Sequence, residues 1–176
     1  MKRAKLWVTA ALVLAPASAL AQRDTRPRNV VVIHPLSLIT GYLDLEYERA
    51  LGDFFSVYAA PGAIFSRTRY LDGTTSLGVF SASLDVGGRI FPLRRSPSGF
   101  FIDLGFGAYG SNFYAEYRER GLGWRGLVGL GYTLVLGGHF VASLGAGAQF
   151  TSFKADRGAT ESEVYPTLRF ALGGAF

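Results

Sequence analysis

The chain has 176 residues, enough for one domain with little room for a second. Hydrophobic residues make up 49% of it and charged residues only 18%, a composition that excludes a disordered chain or a solvated linker. The chain contains no cysteine. A disulfide framework, a thiolate metal site, a cysteine nucleophile and the acylated cysteine of a lipoprotein are therefore excluded.

Residues 1–21 have the three parts of a secretory signal peptide. Three basic residues precede the apolar segment 6–14, and Ala-Leu-Ala at 19–21 is the small-x-small pattern that signal peptidases cut after. The apolar segment is too short for a membrane-spanning helix. We predict cleavage before Gln22, which lowers the formal net charge from +5 to +2 because it removes three basic residues. Residues 22–28 then form a short periplasmic segment.

Beyond residue 28, apolar residues recur with a period of two. In 124–136, one parity holds mostly bulky apolar residues, while the other holds Arg125, Leu127, Gly129, Gly131, Thr133 and Val135. Such alternation predicts β-strands with one apolar face. The uncharged stretch 126–148 has the length of a membrane helix, but its seven glycines, which include the central Gly137-Gly138 pair, favour a hairpin.

The predicted strands are long for a soluble protein, and many reach the 9–11 residues that a tilted strand needs to cross a bilayer. We predict eight, at 29–37, 41–51, 54–65, 76–91, 99–112, 122–136, 139–152 and 163–176. The short connections alternate with the longer segments 66–75, 113–121 and 153–162, as in bacterial barrels with short periplasmic turns and longer outer loops. The predicted fold is an all-β, eight-stranded antiparallel up-and-down transmembrane β-barrel covering 29–176.

Aromatic residues cluster near both ends of the predicted strands. Such sorting is typical of the two membrane interfaces. The predicted outer belt is Tyr42, Phe65, Phe113, Trp124, Phe150 and Tyr165, and the inner belt is Phe54, Phe55, Phe91, Phe100, Phe140 and Phe176.

Two segments carry a family resemblance. The C-terminal Phe176, with Phe170 on the same face, resembles the assembly signal of outer-membrane barrels. Segment 29–51, with His-Pro-Leu-Ser-Leu from His34 and Glu-Tyr-Glu-Arg from Glu46, looks like the first hairpin of an uncharacterised family of small bacterial outer-membrane barrels. The overall plan resembles that of OmpA-type and opacity-type eight-stranded barrels. The resemblance implies location and fold, and it implies no reaction.

If the apolar parity faces lipid, the other parity lines the lumen with charge. We predict a lumen polar network there, because unpaired charge in so narrow an interior is costly. Its members are Asp44, Glu46, Glu48, Asp85, Arg89, Asp103, Arg125, Gln149 and Arg169. Inward glycines near mid-strand either receive large side chains or leave a narrow water-filled path. These glycines are Gly105, Gly107, Gly129, Gly131, Gly145 and Gly147.

The sequence offers little support for catalysis. His34 and Ser37 lie near the predicted outer end of the first strand, but their opposite parity places them on opposite sides of the wall. No histidine pair has metal-ligand spacing, so we predict no catalytic residue, no metal and no cofactor. Asp156, Glu161 and Glu163 share the last loop without a known calcium-binding pattern.

We therefore expect a monomeric, non-enzymatic protein of the bacterial outer membrane with a structural or surface-interaction role and a plugged polar interior. Its expected partners are membrane lipid, lipopolysaccharide and the outer-membrane assembly machinery, and no nucleic acid. Two alternatives remain. One is a narrow pore for small solutes or ions; the other is a soluble barrel of lipocalin type, which needs the apolar parity inside.

Overall fold

The structure, a computed structural model, describes residues 26–39, 41–69, 76–93, 95–114, 118–155 and 160–176. The predicted signal peptide at 1–21, and 22–25 of the predicted periplasmic segment, lie outside the described residues. Among the residues described, no helix is long and apolar enough to cross a membrane.

The described chain forms one closed β-barrel, which confirms the predicted fold class. Every strand pairs antiparallel with the next along the chain, and the last pairs with the first, so the sheet has no free edge. The strands are β1 (Asn29–Ile33), β2 (Tyr42–Ala50), β3 (Phe55–Arg69), β4 (Ser76–Ile90), β5 (Gly99–Tyr114), β6 (Arg118–Leu136), β7 (Phe140–Ala155) and β8 (Thr160–Ala175), and one short helix, α1 (Pro35–Ile39), joins β1 to β2.

Backbone hydrogen bonds close the barrel where the first and last strands meet. Val30 pairs with Ala175, and the Asn29 and Phe176 amides each donate to the other residue's carbonyl oxygen at 2.9 Å. Asn29 and Phe176 therefore lie at one end, together with the Gly137-Gly138 turn. We call this the termini end and the opposite end, which carries α1, the loop end.

The first strand is shorter than predicted. We expected a strand over 29–37, but β1 stops at Ile33 and α1 begins at Pro35. Proline cannot donate to a strand ladder, whereas it suits the first turn of a helix. The turn is stabilised locally, because both the amide and the hydroxyl of Ser37 donate to the His34 carbonyl oxygen, at 3.1 and 2.6 Å.

The loop-end connections are shorter than predicted. The hairpin ladders continue into the segments expected to be loops, as far as the pairs Arg69–Ser76, Tyr114–Arg118 and Lys154–Thr160. Backbone pairing continues there because strand pairing uses main-chain groups, which polar and charged residues also supply. Only 70–75, 115–117 and 156–159 remain between the strands, and they lie outside the described residues.

The two faces of the wall differ in chemistry. The outward face exposes apolar side chains along the middle of the barrel, whereas the inward face carries the charged groups. The exposed apolar set includes Leu43, Leu45, Leu84, Val86, Leu104, Phe106, Val128, Leu130, Leu144 and Leu168. Inside, buried apolar residues gather towards the termini end: Val30, Val32, Phe91, Phe101, Val141, Ala171 and Ala175.

The aromatic belts are only partly as predicted. Trp124 and Phe150 pack together at the loop end with ring centroids 4.9 Å apart, while the side chains of Phe65 and Phe113 lie outside the described set. Three assignments are wrong, because these side chains have the inward parity: Tyr42 and Tyr165 line the lumen and Phe91 is fully buried in it. The other five members of the predicted inner belt are exposed at the termini end: Phe54, Phe55, Phe100, Phe140 and Phe176.

Candidate functional site

A buried ion-pair network lies in the lumen towards the termini end. Arg89 on β4 is 1% exposed and pairs with Glu46 at 2.9 Å, with Glu48, and with Asp103 at 3.3 Å. Arg169 on β8 joins it, with its Nη2 2.6 Å from Glu46 Oε1 and its Nη1 3.2 Å from Asp103 Oδ2. Two guanidinium groups thus hold three carboxylates from two other strands across the lumen. We call these five side chains the Arg89 network.

Aromatic rings complete the surroundings of Arg89. Its guanidinium carbon lies 4.5 Å from the Tyr58 ring centroid and 5.1 Å from that of Phe101, within the range of cation–π attraction. The Ser56 hydroxyl donates to Glu48 Oε1 at 2.5 Å. The network is therefore enclosed by aromatic and hydrogen-bonding groups, the condition under which buried charge is tolerated.

A second charged group, closer to the loop end, centres on Arg125. Its Nε lies 2.6 Å from Asp85 Oδ1, and its Nη2 also contacts Asp85, the Tyr42 hydroxyl at 3.0 Å and the Ser83 hydroxyl at 3.2 Å. Gly107 pairs with both Asp85 and Arg125 in the sheet. The ion pair therefore crosses directly over a glycine, where any side chain would collide with the Asp85 carboxylate.

Inward glycines make room for the large lumen side chains. The Tyr58 ring lies over Gly87, its partner on β4, and over Gly105, which pairs with Gly87 from β5. The Phe101 ring likewise lies over Gly131 and approaches Gly145 in its own row. At Gly129 and Gly147, by contrast, the nearest atoms belong to backbone.

His34 and Asp44 form a further pair in the loop-end half. His34 Nδ1 lies 2.5 Å from Asp44 Oδ1, and its Nε2 lies 3.8 Å from Glu46 Oε2. Ser37 hydrogen-bonds through its hydroxyl to the His34 backbone carbonyl. The His34 imidazole thus contacts carboxylates of β2, while the Ser37 hydroxyl donates to a backbone carbonyl.

A cavity of about 440 Å³ occupies the loop-end half of the lumen. Its polar lining includes His34, Asp44, Arg125, Gln149 and Tyr165. The Gln149 amide donates to the Tyr165 hydroxyl at 2.6 Å. The Asp44 and His34 side chains keep 17% and 13% exposure, so water reaches the cavity. Among the described residues, no group of three or more carboxylate or imidazole side chains is arranged to hold a metal ion.

All nine side chains predicted to form the lumen polar network face inward, but the structure divides them. Five belong to the Arg89 network, Asp85 and Arg125 form the second ion pair, and Asp44 and Gln149 line the cavity. His34, Tyr42 and Tyr58 were not assigned to this site. Strand parity predicts an inward position for such residues. Tyr42 has the same parity as the inward-facing Asp44, and His34 has the same parity as the buried Val32.

The two residues of the predicted assembly signal lie on β8 and directly after it. Phe170 is half-buried, and the terminal Phe176 is 66% exposed at the termini end.

No family model matches the chain, and no curated protein does. A search of solved structures matches the crystal structure of Acinetobacter baumannii CarO2 at 9% identity and a TM-score of 0.43, over 86% of this chain and 99% of that one. The resemblance of segment 29–51 to a family of small barrels therefore stays a prediction.

Proposed function

We propose that this chain is a small integral protein of the bacterial outer membrane with a plugged polar interior and a structural or surface-interaction role. The observation that carries the proposal is the inverted distribution of side chains. A closed barrel exposes leucine, valine and phenylalanine around its middle and keeps its buried charges inside. A soluble barrel of lipocalin type has the reverse arrangement, because its outer surface faces water.

The topology supports an orientation in that membrane. Barrels of bacterial outer membranes have short periplasmic turns and longer extracellular connections. At the termini end the turn between β6 and β7 spans only 137–139, whereas at the loop end the strands continue as charged hairpins beyond the apolar band, with Arg120, Lys154 and Glu161 exposed. We place the termini end in the periplasm and the loop end, with the cavity, at the cell surface.

Two layers of side chains support a plugged interior. The Arg89 network bridges β2, β4, β5 and β8, and its Arg89, Glu46, Glu48 and Asp103 side chains are at most 3% exposed. Closer to the termini end, Phe91 and Phe101 pack with ring centroids 6.0 Å apart. Eight strands enclose an interior that side chains can fill. Water that enters the cavity therefore meets an ionic layer and then an apolar one.

Single-channel recording in a planar bilayer tests this proposal. The refolded chain is expected to leave the bilayer silent, while a heat-dependent shift on a gel shows that the barrel has formed. Reproducible conductance steps from folded protein would contradict the plugged interior. Recovery of the native protein in the periplasmic fraction without detergent would contradict membrane insertion.

A narrow pore is the second candidate, and the cavity favours it. The cavity extends from the loop end to Arg169, so only the Arg89 network and the apolar layer separate it from the other end. Conductance in the same recordings would support this function, and Arg169 and Arg125 would then be the first residues to test for ion selectivity.

The partners we propose follow from the ends of the barrel. Exposed charged residues near the loop end, including Arg120, Lys154 and Glu161, offer contacts to the polar groups of lipopolysaccharide. At the other end, the exposed Phe176 is available to the assembly machinery. Closure of the sheet supports a monomer, since no strand edge remains for pairing with a second copy. We propose no enzymatic activity, cofactor or nucleic-acid partner.

A further inference from the structure

The charges inside the barrel do not balance. Five carboxylates in the described part of the lumen face three arginines. The carboxylates belong to Asp44, Glu46, Glu48, Asp85 and Asp103, and the arginines are Arg89, Arg125 and Arg169. Each arginine is already engaged by carboxylates of the wall. Excess negative charge in a confined interior is costly unless a cation accompanies it.

Among the described lumen carboxylates, Asp44 is the one without an arginine as its ion-pair partner. Glu46, Glu48 and Asp103 contact Arg89, and Asp85 contacts Arg125. In the described part of the chain, the ion-pair partner of Asp44 is His34, whose Nε2 is buried without a hydrogen-bond partner.

The cavity beside Asp44 has the size and lining of a site for an organic molecule. Its volume of about 440 Å³ lies within the range of roughly 300–1,000 Å³ that is typical of small-molecule pockets. The cavity is therefore far larger than the volume of a bare metal ion. Leu127 and the rings of Tyr42, Tyr58 and Tyr165 supply apolar and aromatic lining. Aromatic faces together with a carboxylate are the groups that recognise ammonium ions.

We propose that the cavity binds a small organic cation whose ammonium group pairs with Asp44 and whose carbon chain packs on the tyrosine rings. His34 then holds Asp44 in position from the opposite side. The site opens towards the loop end, so the ligand enters from the cell surface in the orientation proposed above. The proposal does not depend on conduction, since a closed cavity and a pore both leave Asp44 accessible.

Ligand-observed saturation-transfer NMR on the folded chain in nonionic detergent tests the proposal, with butylammonium and butyrate as probes of similar size and opposite charge. Butylammonium is expected to receive saturation above a micelle-only blank, and butyrate is not. Asp44→Asn should raise the Kd for butylammonium at least about tenfold, the loss of one charge-assisted contact. The matched control Asp53→Asn, on an exposed turn at the termini end, should leave the Kd unchanged.

A second variant tests the cavity without altering any charge. Thr167→Phe, in the cavity wall, fills the space and should abolish butylammonium binding even if Asp44→Asn does not fold. Absence of butylammonium binding to the wild-type chain would overturn the proposal, and so would equal binding of butyrate. A Kd that Asp44→Asn or Thr167→Phe leaves unchanged would place the binding site elsewhere and would overturn it too.

Discussion

Replacement of Arg89 by methionine is expected to destabilise the barrel strongly. Methionine keeps much of the side-chain volume between Tyr58 and Phe101 but removes three ion pairs. Loss of one partner from a buried charge network costs about 3–5 kcal/mol, because the remaining charges stay buried without compensation.

The structure shows where that cost arises. After the substitution, Glu46 and Asp103 still contact Arg169, at 2.6 and 3.2 Å. Glu48 retains only the Ser56 hydroxyl at 2.5 Å, although its side chain is 2% exposed. Most of the destabilisation should therefore come from Glu48. Glu48→Gln in the Arg89→Met background should recover part of it, with a coupling of about 1–3 kcal/mol between the two sites.

Urea unfolding in lipid vesicles, followed by tryptophan fluorescence, measures these free energies. Trp124 is the one tryptophan beyond the predicted cleavage site, so it reports on the barrel alone. The matched control is Arg49→Met, because Arg49 lies on β2 with its side chain exposed; its effect should stay within about 0.5 kcal/mol. An Arg89→Met effect below about 1 kcal/mol, or additive effects of Arg89→Met and Glu48→Gln, would refute the reasoning.

Three further predictions test the wall, the packing and the assembly signal. Leu130→Arg, on the outward face of mid-β6, should lower the free energy of unfolding in vesicles by about 2–4 kcal/mol. Leu122→Arg, near the loop end, should lower it by only about 0–1 kcal/mol, and equal effects of the two substitutions would contradict the membrane placement. Gly131→Val should cost about 1–3 kcal/mol because its Cβ meets the Phe101 ring, whereas the control Gly126→Val, with no atom near its Cβ, should be milder in the same assay. Phe176→Ala should lower the fraction of heat-shifted barrel in isolated outer membranes while refolding in detergent normally; unchanged assembly in cells would argue against the proposed signal.

The alternation of side chains explains why so much of the wall could be predicted. Each strand of a closed barrel presents one face outward and the other to the lumen, so a period of two runs through 42–50 and 124–136. Parity alone assigned Arg89, Arg169 and the other charged residues to the interior. It left open which charges pair, because pairs such as Arg169 and Glu46 are 123 residues apart in the chain.

The sequence misleads where two signals compete for one residue. Tyr42 and Phe91 were assigned to the interfaces because they are aromatic and lie near strand ends, but their parity directs both side chains inward. The segment from Pro35 was predicted to continue β1 because it is apolar, although proline cannot donate a ladder hydrogen bond there. In each case the backbone constraint prevailed over the chemical type of the side chain.

By itself, the sequence determined the strand number, the up-and-down order and the inward face, because these depend on local alternation and on turn residues between neighbouring strands. The tertiary structure alone decided which side chains meet inside the lumen. Register places Tyr58 beside Gly87 and Gly105, and closure through β1 and β8 brings Arg169 to Glu46. Those contacts depend on the stagger between strands and on the curvature of a closed sheet, which single strands do not encode.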